Sequence, residues 1–303
     1  MAQPVTDHPV VQTVLHGRVA VVTVDNPPLN VLSAAVRKGL ANALDQIAND
    51  TAVEAAVLAC AGKTFFSGAD ITEFGREIAQ PDLSAVVSQI ASFPKPIVAA
   101  IHGTALGGGF EVALACTARM ADRAAGVGLP EVRLGLVPGC GGMTRLTRLI
   151  GPETALDLVT SGRRMAAPEA LAQGAIDAVA DADLVTEAVA LAGRIAAGQL
   201  LRREMPRQPP QDTLFAQFRV ANAQRFRGQD APAEAIAGVE RALTDPLDVA
   251  LAGERTAFAR LLAGPQAAAL GYVFRGERAA RKLADLPEDT VARPIAQVGV
   301  IGA

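Results

Sequence analysis

The chain has 303 residues, half of them apolar and 19% charged, with a formal net charge of −3. That balance supports a sizeable buried core and argues against disorder, while the acidic sign argues against a polyanion-binding surface. Trp is absent and Tyr occurs once, so an aromatic platform for stacking nucleic-acid bases is not expected.

The first 30 residues hold no basic segment followed by an apolar run, so no secretory signal is expected. Val10–Leu15 and Val19–Asp25 are β-branched runs joined at His16-Gly17, a pattern that predicts a hairpin. Ser33 is expected to cap a helix that places Val36, Leu40, Leu44 and Ile47 on one face. Ala55–Cys60 and Ile97–Ile101 read as buried strands, each followed by a glycine-bearing turn. Gly108–Cys116 reads as a short apolar helix, residues 118–121 as a strand, and Gly141–Ile150 as a further helix. This β-β-α recurrence to about residue 197 predicts an α/β layered domain.

From residue 201 the character changes. Met205–Pro210 is a proline-rich break, and Thr213–Phe226, Pro232–Leu243, Pro246–Ala263 and Pro265–Leu283 read as four helices. Arg202, Arg203, Arg207, Arg219, Arg225 and Arg227 outnumber Glu204 and Asp212 there, and a solvated helix face explains them better than a phosphate site. Pro287–Pro294 reads as a linker, and Val298–Ala303 as a strand entering a glycine turn. Such a strand would open a dinucleotide-binding unit whose remaining glycines need residues beyond 303; the plainer alternative is a frayed terminus. The expected division is 1–200, 201–286 and 287–303. Cys60, Cys116 and Cys140 are odd in number and widely spaced, which fits neither a disulfide framework nor a zinc site and suggests a reducing compartment, the cytoplasm. No run of about 18 apolar residues occurs, so no membrane association is expected.

The chemistry concentrates between residues 63 and 142. Glu111 is the one charged residue from His102 to Cys116, and Glu131 lies between Leu129-Pro130 and Val132. Burial raises a carboxylate's pKa, and two such groups suit paired acid–base work such as moving water onto or off a double bond. The plainer alternative is that each caps a helix or pairs with an arginine, Arg133 being close to Glu131. Gly107-Gly108-Gly109 precedes the helix that carries Glu111, and Gly68-Ala69-Asp70 forms a second tight turn after Phe65-Phe66. One N–H from each turn would polarise a thioester carbonyl, although tight helix–strand packing also explains the glycines.

Three stretches in this order, SGADI at Ser67–Ile71, GTALGGGFE at Gly103–Glu111 and LPEVRLGLVPGCGG at Leu129–Gly142, resemble the enoyl-CoA hydratase/isomerase (crotonase) family. The resemblance covers about residues 10–197 and implies a spiral of ββα units, followed here by an all-helical extension. It implies that the N–H groups of Ala69 and Gly108 form an oxyanion hole and that Glu111 and Glu131 are the two catalytic carboxylates. It further implies that Ser67, Gly68, Asp70 and Ile71 lie along the CoA moiety, largely through backbone contacts. The expected reaction is reversible hydration of 2-trans-enoyl-CoA in fatty acid β-oxidation, with no metal or redox cofactor. Alternatives are Δ3–Δ2-enoyl-CoA isomerisation at the same site and a non-catalytic acyl-CoA-binding domain. The C-terminal helices and VGVIGA resemble the N-terminal part of a bifunctional hydratase/3-hydroxyacyl-CoA dehydrogenase. NAD and the dehydrogenase are therefore expected only in a longer chain, and the family's usual self-association is left open. Cys140, in a turn position where the family more often has Ala or Gly, is expected to be a small buried filler, and His102 a satisfied structural histidine.

Overall fold

The computed structural model describes residues 9–73, 78–200, 212–280, 290–291 and 293–299. The expected hairpin is strands β1 (Val11–His16) and β2 (Val19–Val24), paired antiparallel. Helix α1 (Ala34–Asn49) follows, then β3 (Ala55–Cys60), α2 (Leu83–Ala91), β4 (Ile97–Ile101), β5 (Thr104–Leu106) and α3 (Gly108–Ala115). Next come β6 (Ala118–Ala121), β7 (Gly126–Gly128), a 3₁₀ turn at Glu131–Leu134, α4 (Gly142–Ile150) and α5 (Pro152–Ser161). The α/β part closes with β8 (Met165–Ala166), α6 (Ala167–Gln173), β9 (Ala178–Val179) and α7 (Leu184–Ala196). The recurring unit is visible as β1-β2-α1, β4-β5-α3 and β6-β7-α4.

Among the described residues the main sheet runs β1-β2-β3-β4-β6-β9, parallel from β2 onward, and a smaller sheet pairs β5-β7-β8. Alternation along the strands sends Val19, Val21, Ala55, Val57 and Val98 toward α7. It sends Ala20, Val22, Leu58 and Ala99 into the larger core with α1, α2 and α3. On α1 the predicted face is buried at Val36, Leu40, Leu44 and Ile47. Ser33 occupies the N-cap, but its hydroxyl makes no capping bond; its carbonyl accepts the Arg37 N–H at 2.9 Å. The cap expected of Ser33 is therefore a backbone arrangement without the side-chain contribution.

The four expected C-terminal helices are α8 (Asp212–Asn222), α9 (Ala231–Thr244), α10 (Leu247–Leu262) and α11 (Pro265–Ala280). The first stops four residues short of Phe226, because Asn222 Nδ2 donates back to the Phe218 carbonyl at 2.9 Å and residues 223–228 turn away. Arg202, Arg203 and Arg207 lie outside the described residues; of the other three, Arg219 pairs with Glu240 at 2.5 Å and Arg225 and Arg227 are exposed, as a solvated face requires. Helix α9 packs on α4 and α5, α10 packs on α4 and α9, and α11 covers the 3₁₀ turn. Arg148 of α4 fixes this cover: its guanidinium donates to the carbonyls of Ala242 and Asp245, at the C-terminus of α9, at 2.8 and 2.6 Å. Met205–Pro210 lies outside the described residues, as do parts of Pro287–Pro294 and most of Val298–Ala303; Val298 and Gly299 carry no regular structure. No helix among the described residues is long and apolar enough to cross a membrane.

Candidate active site

The first turn of α3 is the centre of the site. Its N-cap, Gly107, is tied to β7 through the bond from Gly107 N to Gly128 O at 2.9 Å. A Cβ placed on Gly108 would lie 3.3 Å from Ala69 N, so the two turns singled out in the sequence lie side by side. Gly109 lets them approach: a Cβ there would come within 2.8 Å of the Phe66 carbonyl carbon, a backbone atom that cannot swing aside. Gly68, Ala69 and Asp70 are held from the far side by the bond from Leu32 N to Gly68 O at 3.0 Å. The Asp70 carboxylate accepts from Thr72 N and Oγ1 at 2.9 and 2.7 Å, and so shapes the turn from within. Ser67 and Ile71 flank it, both half-buried.

Glu111, one turn into α3, is only 3% exposed. Its Oε1 accepts the N–H of Cys140 at 2.7 Å and of Gly142 at 2.9 Å, at the N-terminus of α4. Burial raises its carboxyl pKa, and those two donors and the Arg145 charge partly offset the rise. Glu131 opens the 3₁₀ turn opposite, its Oε1 3.1 Å from a Cβ placed on Gly107. Its Oε2 is enclosed and has no hydrogen-bond partner among the described residues. Burial lifts its pKa well above the ordinary value, with the charges of Glu111 and Glu254 adding to the effect. Arg133 is exposed and turned toward Gly162, so the arginine-pairing alternative for Glu131 does not describe this turn.

A third buried carboxylate completes the cluster, and sequence reasoning missed it. Glu254, on α10, is 1% exposed. Its Oε1 accepts from Gly141 N and Met143 N, both at 3.1 Å, and its Oε2 from Thr144 N at 2.9 Å and Thr144 Oγ1 at 2.7 Å. Burial and the Glu111 charge push its pKa up to about 7 against these bonds. Its signal lay in the spacing: Ala250, Glu254, Ala257 and Leu261 form the buried stripe of α10, with a charge standing where the pattern calls for an apolar residue. The thiol of Cys140 is raised by burial and by the same two glutamates, while its backbone N–H serves Glu111. His102 Nε2 lies 3.2 Å from the Gly62 carbonyl oxygen, the satisfied position expected of it. Beyond Lys63, a cleft of about 270 Å³ is lined by Asp25, Pro27, Pro28, Asn30, Ala61, Gly62 and Lys63.

The arrangement sets the Gly68–Asp70 turn beside the first turn of α3 and brings two unlike buried carboxylates close enough to interact, a combination suited to proton transfer. The sequence model of the enoyl-CoA hydratase/isomerase family matches residues 15–231. The human peroxisomal bifunctional enzyme is 38% identical over 300 residues, spanning 96% of this chain and 42% of that protein. A Bacillus subtilis (strain 168) protein named "Probable enoyl-CoA hydratase" is 43% identical over 187 residues, spanning 59% of this chain and 72% of that protein. The crystal structure of carnitinyl-CoA hydratase from Mycobacterium avium superposes with a TM-score of 0.65 at 30% identity, covering 89% of this chain and 97% of that one. The chain thus spans less than half the length of the bifunctional relatives it matches. With the family model matching more than two thirds of its residues and the fold shared with solved hydratases, the chain belongs to the enoyl-CoA hydratase/isomerase family.

Proposed function

We propose that the chain hydrates 2-trans-enoyl-CoA thioesters to 3-hydroxyacyl-CoA. The observation that carries this reading is the pairing of two buried carboxylates in unlike surroundings: Glu111 accepts two backbone N–H bonds, whereas Glu131 Oε2 accepts none. Such a difference separates proton affinities, the carboxyl with fewer donors holding its proton longer. The thioester oxygen accepts from the N–H groups of Ala69 and Gly108, which stabilise it as negative charge develops. Glu111 takes a proton from water as its oxygen bonds to Cβ, and Glu131 delivers a proton to Cα. The net reaction adds one water and moves no electrons to or from an external acceptor, so it calls for no redox cofactor, and in this reading the backbone N–H groups and the two carboxylates do the work without a metal. Ser67, Gly68, Asp70 and Ile71 would lie along the CoA, whose charged end reaches toward the Lys63 cleft.

Loss of the conjugated-enone absorbance of crotonyl-CoA tests the proposal, with Glu111→Gln and Glu131→Gln run beside the parent chain. Rapid loss is expected, slowed by several orders of magnitude in each variant with thioester binding retained. Near-normal hydration by either variant would remove its assigned role. The unpartnered Glu131 Oε2 also favours a second reading, Δ3–Δ2 isomerisation with Glu131 alone shuttling the proton. That reading expects isomerase activity to survive Glu111→Gln and vanish in Glu131→Gln.

The proposal is confined to this site. NAD and a dehydrogenase step belong to it only as partners in a longer chain, the division at residues 200 and 286 being part of the same reading. A reducing compartment is proposed on the three free thiols; the name of the human relative gives a peroxisomal location for that protein.

A further inference from the structure

We propose that Glu254, carried by α10, is a positioning residue for Glu111: it fixes the Cys140–Thr144 turn whose alternate N–H groups hold the Glu111 carboxylate. The inference rests on the role given to Glu111 above. Five successive N–H groups are divided between two carboxylates. Those of Cys140 and Gly142 point to Glu111, and those of Gly141, Met143 and Thr144 point to Glu254. From Cys140 to Met143 neighbouring amides thus face opposite ways, so the turn cannot reorient toward one carboxylate without losing the other.

Three further contacts hold the same turn. Arg145 donates from its guanidinium to the Cys140 carbonyl at 2.8 Å. Gly141 adopts φ +94°, and a Cβ there would run into both Arg145 and Leu251. A Cβ on Gly139 would lie 2.7 Å from Phe258 Cγ. Leu251, Glu254 and Phe258 are successive positions on one side of α10, so this helix presses on the turn with two apolar side chains and caps it with the third. An apolar residue at 254 would fill the space as well, but it would leave three N–H groups and the Thr144 hydroxyl without acceptors. Retaining a buried charge there is explained by orientation of the turn rather than by packing.

The test uses Glu254→Gln in the full chain, with amide hydrogen exchange at Cys140 and Gly142 followed by NMR. These amides bond to Glu111, not to position 254, so their exchange reports on the turn itself. At least tenfold faster exchange is expected. For crotonyl-CoA, kcat should fall at least tenfold with KM within about threefold, and Glu111→Gln/Glu254→Gln should be no slower than Glu111→Gln alone, the signature of one residue acting through the other. Unchanged exchange, or losses that multiply in the double variant, would overturn the proposal. If Glu254→Gln does not fold, Glu254→Asp keeps the charge, shortens the reach by one methylene and carries the same readouts. A parent chain that fails to hydrate crotonyl-CoA, alongside accelerated exchange in the variant, would refute the hydratase reading and leave the positioning intact.

Discussion

Three carboxylates crowded into one buried cluster should reverse the usual pH dependence of stability. Glu254 moves from an ordinary 4.5 to about 7 on folding, and Glu111 and Glu131 move in the same direction. The folded state therefore binds more protons than the unfolded one between those values, and raising the pH favours unfolding. For Glu254 the contribution is absent below about pH 4.5, grows through the interval and is complete above about pH 7. At about 1.4 kcal/mol per pH unit it amounts to about 3 kcal/mol. Glu254→Gln imitates the neutral acid and removes this part of the slope. Facing the cluster from α4 is Arg145, which opposes the effect at Glu111, and the Cys140 thiol stays protonated throughout because burial raises it further. Urea unfolding at pH 5, 6, 7 and 8 should show parent stability falling as pH rises. The parent should also lose about 3 kcal/mol relative to Glu254→Gln over that range. A parent curve that rises across this window, or equal slopes in the two proteins, would show that Glu254 does not take up a proton on folding.

Two other substitutions probe the scaffold. Gly109→Ala forces a Cβ against the Phe66 backbone, and the resulting shift separates the Ala69 and Gly108 N–H groups. A stability loss of about 1–3 kcal/mol is expected from overpacking, with hydration slowed on the order of 10²-fold from a displaced donor; a variant as fast as the parent would show that the two turns need not touch. Arg148→Met strips two charged donors from the carbonyls ending α9 and should cost about 3–6 kcal/mol in urea unfolding, since each such bond is worth about 1.5–3 kcal/mol. Unaltered stability would mean that apolar packing alone docks the C-terminal helices.

Most of the fold was readable because its signals are local. β-branched runs marked β1 and β2, the spacing of Val36, Leu40, Leu44 and Ile47 marked α1, and prolines marked the starts of α9, α10 and α11. The lone charges at 111 and 131, beside glycine turns, pointed to a pair of carboxylates that the fold does bring together. What escaped is non-local. Glu254 stands 110 residues from Thr144, and a glutamate in an otherwise amphipathic helix reads as surface until the partner of that face is known. The unlike surroundings of Glu111 and Glu131 depend on which backbone N–H groups arrive at the N-terminus of α4, something composition and spacing do not encode. Ser33 failed as a side-chain cap for a similar reason: rotamer and neighbours, rather than residue type, decide whether a hydroxyl bonds.

The same separation gives the site a history within the lifetime of each molecule. Strands β2, β3, β4 and β6 are all complete by residue 121, so the parallel sheet has its strands long before residue 254 leaves the ribosome. At about 5–20 residues per second, the 110 residues between Thr144 and Glu254 take roughly 5 to 20 s to synthesise. Throughout that interval the N–H groups of Gly141, Met143 and Thr144 lack the carboxylate that accepts them in the finished fold. The charge that Glu254 adds beside Glu111 and Glu131 is thus imposed late, on a chain whose sheet strands have already been made.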